Sequence, residues 1–315
     1  MCPGSAGSPD RERKNSGAKT AHHSTTLGAM TIVPLGKIQA ACTAGAVALG
    51  TVLWTGPAVS APPQIANHRA IYEMTLASSS ERSGITSVEG RMVLEFAGTS
   101  CEGYTLNSRI VTRFGNRDGK VTQTDIRSTS WESGDGKTFR FGTRQYLEDA
   151  LQEETEGRAT RGEGGKAGAG ILTKPDEEAF ELPADAVFPT EHNFRIMEAA
   201  FSGGTTDQTV VFDATDGKKY YAATTFIGGQ KSPGAAKLPD GVEATATLAT
   251  MRSWPVSISF FDDSQPASGE QTPSHEISFQ MFENGVSIDV LLNYGDFSVK
   301  GVLSGLEIFE TPKCK

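Results

Sequence analysis

The sequence predicts an all-β, mainly antiparallel protein that carries one short helix. Three observations support this fold class. Apolar and polar residues alternate with a period of two in six stretches, glycine-containing turn sequences separate such stretches, and a single segment has apolar residues at helical spacing. Burial on one face of each strand, which this alternation indicates, is typical of antiparallel sheets.

The first 61 residues differ in composition from the rest and are expected to precede the folded domain. Residues 1–29 are small, polar and charged without apolar periodicity, which indicates a disordered leader or an over-extended gene start. Residues 30–61 contain Lys37, an apolar, alanine-rich run at 38–54 and small residues at 58–61. This order is typical of a signal peptide, and we expect cleavage between Ala58 and Ala66.

Two alternatives to a cleaved signal peptide are less well supported. A transmembrane anchor needs about 20 apolar residues, whereas this run is shorter and ends at Gly56-Pro57. A lipoprotein would be acylated at Cys42, but Cys42 lies at the start of the apolar run, and Gln39 stands where an aliphatic residue is expected. Export with cleavage therefore remains the prediction.

Residues 62–315 are predicted to form a single, acidic β domain. The chain has 29 basic and 38 acidic residues, and residues 1–61 hold five of the basic and two of the acidic ones. The remainder has 24 basic and 36 acidic residues, a net charge of −12. Binding to nucleic acid needs a basic surface that neutralises phosphates, and so we expect no nucleic-acid partner.

The alternating stretches place most of the predicted strands. They lie at residues 72–76, 88–96, 104–114, 256–260, 277–281 and 286–292. The turn sequences are Asp118-Gly119, Gly134-Asp135-Gly136, Asp216-Gly217 and Asn284-Gly285. The last of these lies between two alternating stretches and predicts a tight hairpin. Residues 121–130 (VTQTDIRSTS) are β-prone but have few apolar side chains, which predicts a strand at a sheet edge or beside a wet groove.

One segment predicts a helix of about ten to twelve residues. Thr190 is a plausible N-cap, and Gly203-Gly204 provides a stop. Between them, apolar residues at helical spacing predict a stripe that covers an opening of the sheet; they are Phe194, Met197 and Phe201. Two glycine-rich segments, residues 157–170 and 228–241, are predicted to be mobile loops.

Beyond the leader, the only cysteines are Cys101 and Cys314. In an exported protein, two widely spaced cysteines favour a structural disulfide over a catalytic or metal site. Closing so long a loop would stabilise the fold by up to about 5 kcal/mol in the chain-entropy model. The alternative is two unpaired thiols.

Catalytic and metal-binding patterns are largely missing from the sequence. The histidines after residue 61 are His68, His192 and His275, and none is paired at i+2 or i+4. There is no Gly-x-Ser-x-Gly motif. In the glycine-rich residues 162–168, Lys166 is followed by Ala167 rather than Ser or Thr, so a flexible hairpin tip explains them better than a phosphate loop.

The acidic pairs and the aromatic residues each have a functional and a structural interpretation. Asp262-Asp263 and Glu153-Glu154 could supply acid/base carboxylates, but adjacent residues of a strand point to opposite faces, and Asp262-Asp263 is typical of a strand exit and turn. Aromatic residues could line a groove, although core or rim packing is favoured for each; they are Trp131, Trp254, Tyr104 and Tyr294. The sequence thus predicts no catalytic residue, no cofactor and no metal site, and leaves the ligand-binding residues unknown.

Several segments, in order, resemble those of the EipB family of alphaproteobacterial periplasmic proteins. They are residues 68–72 (HRAIY), 90–93 (GRMV), 100–105 (SCEGYT), 188–190 (FPT) with His192, 254–256 (WPV) running to 261–263 (FDD), and 294–298 (YGDFS). The resemblance extends from about Ile65 to Cys314. The chain differs from the family mainly in its leader before Met30 and in residues 157–170.

The resemblance implies an open β-spiral, a barrel-like curved sheet with a short helix, and a disulfide between Cys101 and Cys314. It also implies a non-enzymatic role in cell-envelope integrity and a link to other envelope factors, including a periplasmic tetratricopeptide-repeat protein. We therefore expect the protein to bind an envelope protein or an amphiphile in the groove of its spiral. The alternative is a periplasmic carrier of lipid or lipoprotein, and an envelope hydrolase is a distant third.

Overall fold

The computed structural model describes residues 63–215, 217–242, 244–264 and 271–314. The predicted leader and signal peptide, residues 1–61, lie outside these residues, as does Asp216 of one predicted turn. The first half of the described chain contains eight strands, listed here with their bounds: β1 (His68–Ser79), β2 (Ile85–Thr99), β3 (Gly103–Asn116), β4 (Val121–Glu132), β5 (Thr138–Leu147), β6 (Ala150–Thr160), β7 (Gly168–Lys174) and β8 (Glu178–Leu182).

The second half begins with the predicted helix and returns to strands. Its elements are α1 (Pro189–Phe201), β9 (Thr206–Val211), β10 (Tyr221–Ile227), α2 (Thr245–Ala249), β11 (Ser253–Asp262), β12 (His275–Phe282), β13 (Ser287–Asn293) and β14 (Phe297–Ile308). The short helix α2 was not predicted. Its five residues are too few to show helical periodicity in a sequence.

All fourteen strands belong to one antiparallel sheet in the order β8-β7-β6-β5-β4-β3-β2-β1-β14-β13-β12-β11-β10-β9. The pairing of β1 with β14 joins two meanders, and β8 and β9 are left as the edges. Val187, just after β8, forms a parallel bridge to Val211 of β9, in which the Val187 N–H donates to the Val210 carbonyl at 2.8 Å. The sheet therefore curves until its two edges approach, yet stays open. The prediction of an all-β, mainly antiparallel, open curved sheet is confirmed.

The inner face of the sheet holds three apolar clusters. In one, α1 packs through Ile196, Met197 and Ala200 on the side chains of β9 to β12. A second lies where β1 meets β13 and β14. The third, at the two edges, is mainly aromatic and contains Phe139, Phe188 and Phe212 in ring contact.

The helix is where the sequence placed it, but it starts differently. Phe188 is the N-cap residue and makes no side-chain cap hydrogen bond, so the prediction of Thr190 as N-cap was wrong. A carboxylate from β4, Glu132, accepts hydrogen bonds from the first turn instead. At the other end, the N–H groups of Gly203 and Gly204 donate to helix carbonyls, which ends the helix as predicted.

The prediction of a mobile loop at residues 157–170 was wrong. Residues 157–160 belong to β6 and residues 168–170 to β7, which leaves only a short hairpin tip between them. These glycines make room for aromatic rings: a Cβ on Gly157 would lie 2.7 Å from Cζ of Phe141, and one on Gly170 would lie 2.1 Å from Cζ of Phe180. The glycine content thus reflects close packing inside strands.

Two further predictions concern strands and turns. The Asn284-Gly285 hairpin is confirmed: Gly285 has φ +79° and its N–H donates to the Phe282 carbonyl. The stretch at residues 121–130 lies in β4, between β3 and β5, and so is not an edge strand. The other expectation for this stretch agrees with the structure, because a polar cleft lies on the outer face of β4.

Candidate functional site

A cavity of about 190 Å³ lies between α1 and the inner face of the sheet. Its wall is mainly apolar and includes Tyr72, Leu94, Phe96, Leu106, Met197 and Met281. The polar residues that line it are His68, Ser130, Thr190, Asn193 and Ser287. A concave space with an apolar wall and a few polar groups is the usual form of a small-molecule site.

The sheet register explains why the cavity lies here. Four residues stand directly opposite one another across β1 to β4, and all four line the cavity: His68, Phe96, Leu106 and Ser130. Ser130 is the smallest of them and leaves a gap that its neighbours do not fill. Asn193 and Met197 of α1, four positions apart and therefore on one helix face, lie over this row.

The polar groups in the cavity wall are neutral. The Nδ1–H of His68 donates to the Ala66 carbonyl at 2.7 Å, and burial lowers the pKa of the imidazole. The Tyr72 hydroxyl donates to the Ser287 carbonyl at 2.8 Å, and burial raises its pKa. Since neither group carries charge near neutral pH, the wall favours an apolar guest.

One ionisable group lies next to the cavity, at the N-terminus of α1. The Glu132 side chain is 3% exposed and accepts the N–H groups of Thr190 and Glu191 at 2.7 and 3.1 Å. Burial raises the pKa of this carboxyl to about 7, against the opposing effect of the two N–H donors. Glu132 therefore holds the start of the helix over the cavity and titrates near neutral pH. Glu132 and Thr190 are 58 residues apart in the sequence, so the sequence alone did not indicate this contact.

The size of the cavity limits what it can hold. Sites for drug-sized ligands are about 300 to 1,000 Å³, whereas an engineered apolar cavity of about 150 Å³ binds a single benzene. The space under α1 is thus large enough for a short apolar group of a ligand or for the end of an acyl chain. The remainder of a longer chain would lie outside this space.

The fold separates the histidines that the sequence singled out. His68 lines the cavity. His192, on α1, meets the edge of the Phe260 ring at 6.4 Å between centroids, while His275 stacks on the same ring at 4.6 Å. Burial lowers the pKa of His192 to about 4, and its Nε2 has no hydrogen-bond partner among the described residues. Within residues 63–215, 217–242, 244–264 and 271–314, no three His, Cys, Asp or Glu side chains are grouped to bind a metal.

The acidic pairs occupy ordinary structural positions. Asp262 ends β11 and accepts hydrogen bonds from the backbone and hydroxyl of Ser264, as a strand exit and turn requires. Glu154, on the outer face of β6, pairs with Arg144 and Lys174. Neither pair lines the cavity.

The four aromatic candidates are dispersed as well, and none lines the cavity. Trp254 is 2% exposed and packs against Phe201 in the core. Tyr104 stacks on Phe96 at 5.6 Å, and Tyr294 is 47% exposed and stacks on Phe297. Trp131 lies on the outer face of β4.

Cys101 and Cys314 are joined by a disulfide, with their Cα atoms 5.8 Å apart. Cys101 lies in the turn between β2 and β3, so the bond ties the segment after β14 to that turn. Cys314, Tyr104 and Arg252 are among the residues that line a wide cleft of about 800 Å³ at this end of the sheet. In the part of the chain that the structure describes, no helix is long and apolar enough to cross a membrane.

The curved open sheet, the helix inside it and the small apolar cavity define an open, barrel-like antiparallel β protein with an internal cavity. Comparison with known proteins then gives the family. The model of the EipB-like family matches residues 59–310. The chain belongs to the EipB-like family, as its sequence motifs predicted.

Two relatives from Brucella abortus support this assignment. The cell envelope integrity protein EipB of strain 2308 is 36% identical over 267 residues, which cover 84% of this chain and 92% of the relative. The crystal structure of a β-barrel-like protein of a domain of unknown function is similar with a TM-score of 0.71 and 35% identity. That alignment covers 79% of this chain and all of the solved chain.

Proposed function

We propose that this chain is a non-enzymatic periplasmic protein that supports cell-envelope integrity by holding the apolar part of an amphiphile in the cavity under α1. The Brucella relative is a cell envelope integrity protein by name, which supports the envelope role. The disulfide supports an oxidising compartment. The cavity, with neutral polar groups in an apolar wall, is the observation that carries the binding function.

The arrangement of α1 supports this choice of ligand. The helix lies inside the curved sheet and packs on β9 to β12 through Ile196, Met197 and Ala200, with the partly buried Ala199 and Phe201 beside them. Its N-terminus is held by one carboxylate, Glu132. An acyl chain that enters beside α1 would extend the cavity along the inner face of the sheet, where two methionines, Met197 and Met281, offer adaptable walls.

To test binding, a larger side chain is introduced on β4 so that it fills part of the cavity. In Ser130→Leu, the new side chain points inward into the gap, and we expect a loss of at least about tenfold in affinity for the neutral dye N-phenyl-1-naphthylamine, because about two or three buried methylene contacts are displaced. The matched control is Asn107→Leu, which adds the same side chain to the outer face of β3. Equal dye binding by both variants and the wild type would contradict the proposal.

A second experiment identifies the natural guest. Native mass spectrometry of protein purified from the periplasm would show a retained amphiphile in the wild type and in Asn107→Leu, and less of it in Ser130→Leu. A wild-type preparation without any bound amphiphile, together with dye binding that is insensitive to Ser130→Leu, would leave the cavity without a role in binding.

A carrier of lipid or lipoprotein is the alternative function, supported by the same cavity and the single carboxylate that holds α1. A carrier would pass its bound guest to acceptor vesicles, whereas a protein that senses or stores the amphiphile would retain it. An envelope protein, for example one with tetratricopeptide repeats, is a further proposed partner. Crosslinking in whole cells would capture such a protein partner, whether or not the bound amphiphile is transferred to acceptor vesicles.

A further inference from the structure

A second cleft, of about 420 Å³, lies on the outer face of the sheet, across β3 to β7 and on the side opposite α1. Three guanidinium groups line it, from Arg127, Arg140 and Arg144, together with one carboxylate, Glu156. This is an excess of positive charge in a chain whose net charge is −9. Neither the cavity under α1 nor the proposed function uses this cleft.

The register of the strands produces the cleft. Arg127 and Arg144 stand opposite each other on β4 and β5, and Trp131 and Arg140 do so four residues further along β4. Midway between these two rows is the pair Thr129 and Gly142. Each row is about 7 Å from this pair along the strands. Since Gly142 has no side chain, the long arginines lie around an open floor.

Two of the arginines have fixed positions and unused donors. Arg127 donates from Nε and Nη2 to Asp125, and its guanidinium lies 4.8 Å from the centre of the Tyr146 ring. Arg144 donates from Nε to Glu154 and from Nη2 to Glu156. In both residues these contacts leave the Nη1 group for a ligand.

Arg140 is positioned without a carboxylate in the described chain. Its guanidinium lies over the Trp131 ring, 5.0 Å from the centre, and the Trp131 Nε1–H donates to the Glu102 carbonyl at 3.2 Å. The indole is therefore held in place and the guanidinium rests on it. The hydroxyls of Thr105 and Thr129 supply further donors around the cleft, while the Thr173 hydroxyl donates to the Glu156 carbonyl at 3.3 Å.

Simple charge balance on a sheet surface does not require this arrangement. Asp125 is shared by Arg109 and Arg127, so that side of the cleft already has more guanidinium than carboxylate groups. Next to it, Arg144 and Lys174 are balanced by Glu154 and Glu156. Arg140, which has no carboxylate partner among the described residues, then adds a positive charge to the cleft. We infer that the cleft binds an anion that bears a phosphate group, because several planar donor forks around a space of this size match the oxygens of phosphate.

The test places a carboxylate on the floor of the cleft. A Cβ on Gly142 would meet no atom closer than 3.6 Å, so Gly142→Glu fits the backbone and sets a negative charge among the three guanidinium groups. The control Val302→Glu adds the same charge to β14, whose Val302 is 36% exposed. Thermal unfolding of both variants checks that the fold is intact.

Binding is measured by titrating the ¹⁵N-labelled protein with inorganic phosphate and following the arginine Nε–Hε resonances. We expect saturable shifts for the wild type and Val302→Glu, no shifts in the cleft for Gly142→Glu, and about tenfold weaker binding for Arg140→Ala. A second titration uses vesicles of phosphatidylglycerol in phosphatidylcholine, with pure phosphatidylcholine vesicles as the control.

The two titrations distinguish the sources of the phosphate. Saturable binding of inorganic phosphate that is lost in Gly142→Glu supports a soluble phosphate-bearing ligand. Binding only to the phosphatidylglycerol vesicles, again lost in Gly142→Glu, supports a lipid headgroup. Absence of binding to either, or binding that Gly142→Glu leaves unchanged, would overturn the inference.

Discussion

Replacing Glu132 by glutamine should make the protein more stable relative to the wild type as the pH rises. Glu132 is buried on β4, and its carboxyl accepts two backbone N–H groups from the first turn of α1. Burial raises the pKa of the carboxyl from 4.5 to about 7. Glutamine never ionises, and its one side-chain oxygen can accept one of the two hydrogen bonds. The loss of the other hydrogen bond lowers the stability of the variant by an amount that does not depend on pH, so the change with pH still reports the titration of Glu132.

The size of the effect follows from the two pKa values. The folded state holds the Glu132 proton more tightly than the unfolded chain, so the resulting stabilisation is fully present below pH 4.5 and is lost as the pH rises through 7. At 1.36 kcal/mol per pH unit, this amounts to about 3 kcal/mol. The free energy of unfolding of Glu132→Gln, measured relative to the wild type, should therefore increase by about 3 kcal/mol between pH 4.5 and 8.

Urea unfolding of both proteins at fixed ionic strength, with the disulfide intact, measures this difference at each pH. Comparison with the wild type is essential because His192 titrates in the opposite sense. Its pKa is lowered to about 4, so its contribution is present above pH 6.5 and is lost as the pH falls through 4. That contribution is common to both proteins and cancels in the difference.

The opposite slope would refute the reasoning. If Glu132→Gln becomes less stable relative to the wild type as the pH rises, the two N–H donors and the positive end of α1 stabilise the ionised carboxylate more than burial destabilises it. A difference that does not change with pH would mean that Glu132 has the same pKa in the folded and unfolded states.

Two further predictions concern stability. Replacing both Cys101 and Cys314 by serine should lower the free energy of unfolding by up to about 5 kcal/mol, since the disulfide closes a loop of 213 residues. Urea unfolding measures this difference. A reductant should lower the stability of the wild type and leave that of the double variant unchanged. Gly157→Ala should cost about 1 to 3 kcal/mol because its Cβ would lie 2.6 Å from the Ile171 carbonyl oxygen, whereas Gly142→Ala on the neighbouring strand should change stability by less than about 0.5 kcal/mol. Equal melting temperatures for the two alanine variants would contradict the packing argument.

Much of the fold could be predicted because it depends on local patterns. Alternation of apolar and polar residues predicted strands that correspond to β1, β2, β3, β11, β12 and β13. The apolar spacing after Phe188 predicted α1, and Asn284-Gly285 predicted a hairpin. In each case a few neighbouring residues determine the local conformation.

The errors arose where a distant contact decides the role of a residue. Glycines at 157 and 170 indicated a loop, but in the sheet they accommodate the rings of Phe141 and Phe180. Thr190 resembled an N-cap, but Glu132 from β4 supplies the acceptor. The polar composition of residues 121–130 suggested an edge, although β4 lies between two strands with a polar cleft on its outer face.

By itself, the sequence determined the class of the protein: an acidic, antiparallel β protein with one main helix and motifs of the EipB-like family. Only the tertiary structure decided where a ligand could bind. The row that ends at Ser130 and the arginines around Gly142 come from strands whose register places them side by side. A single strand shows which face a residue occupies, but only pairing between strands shows which residues share that face at the same level.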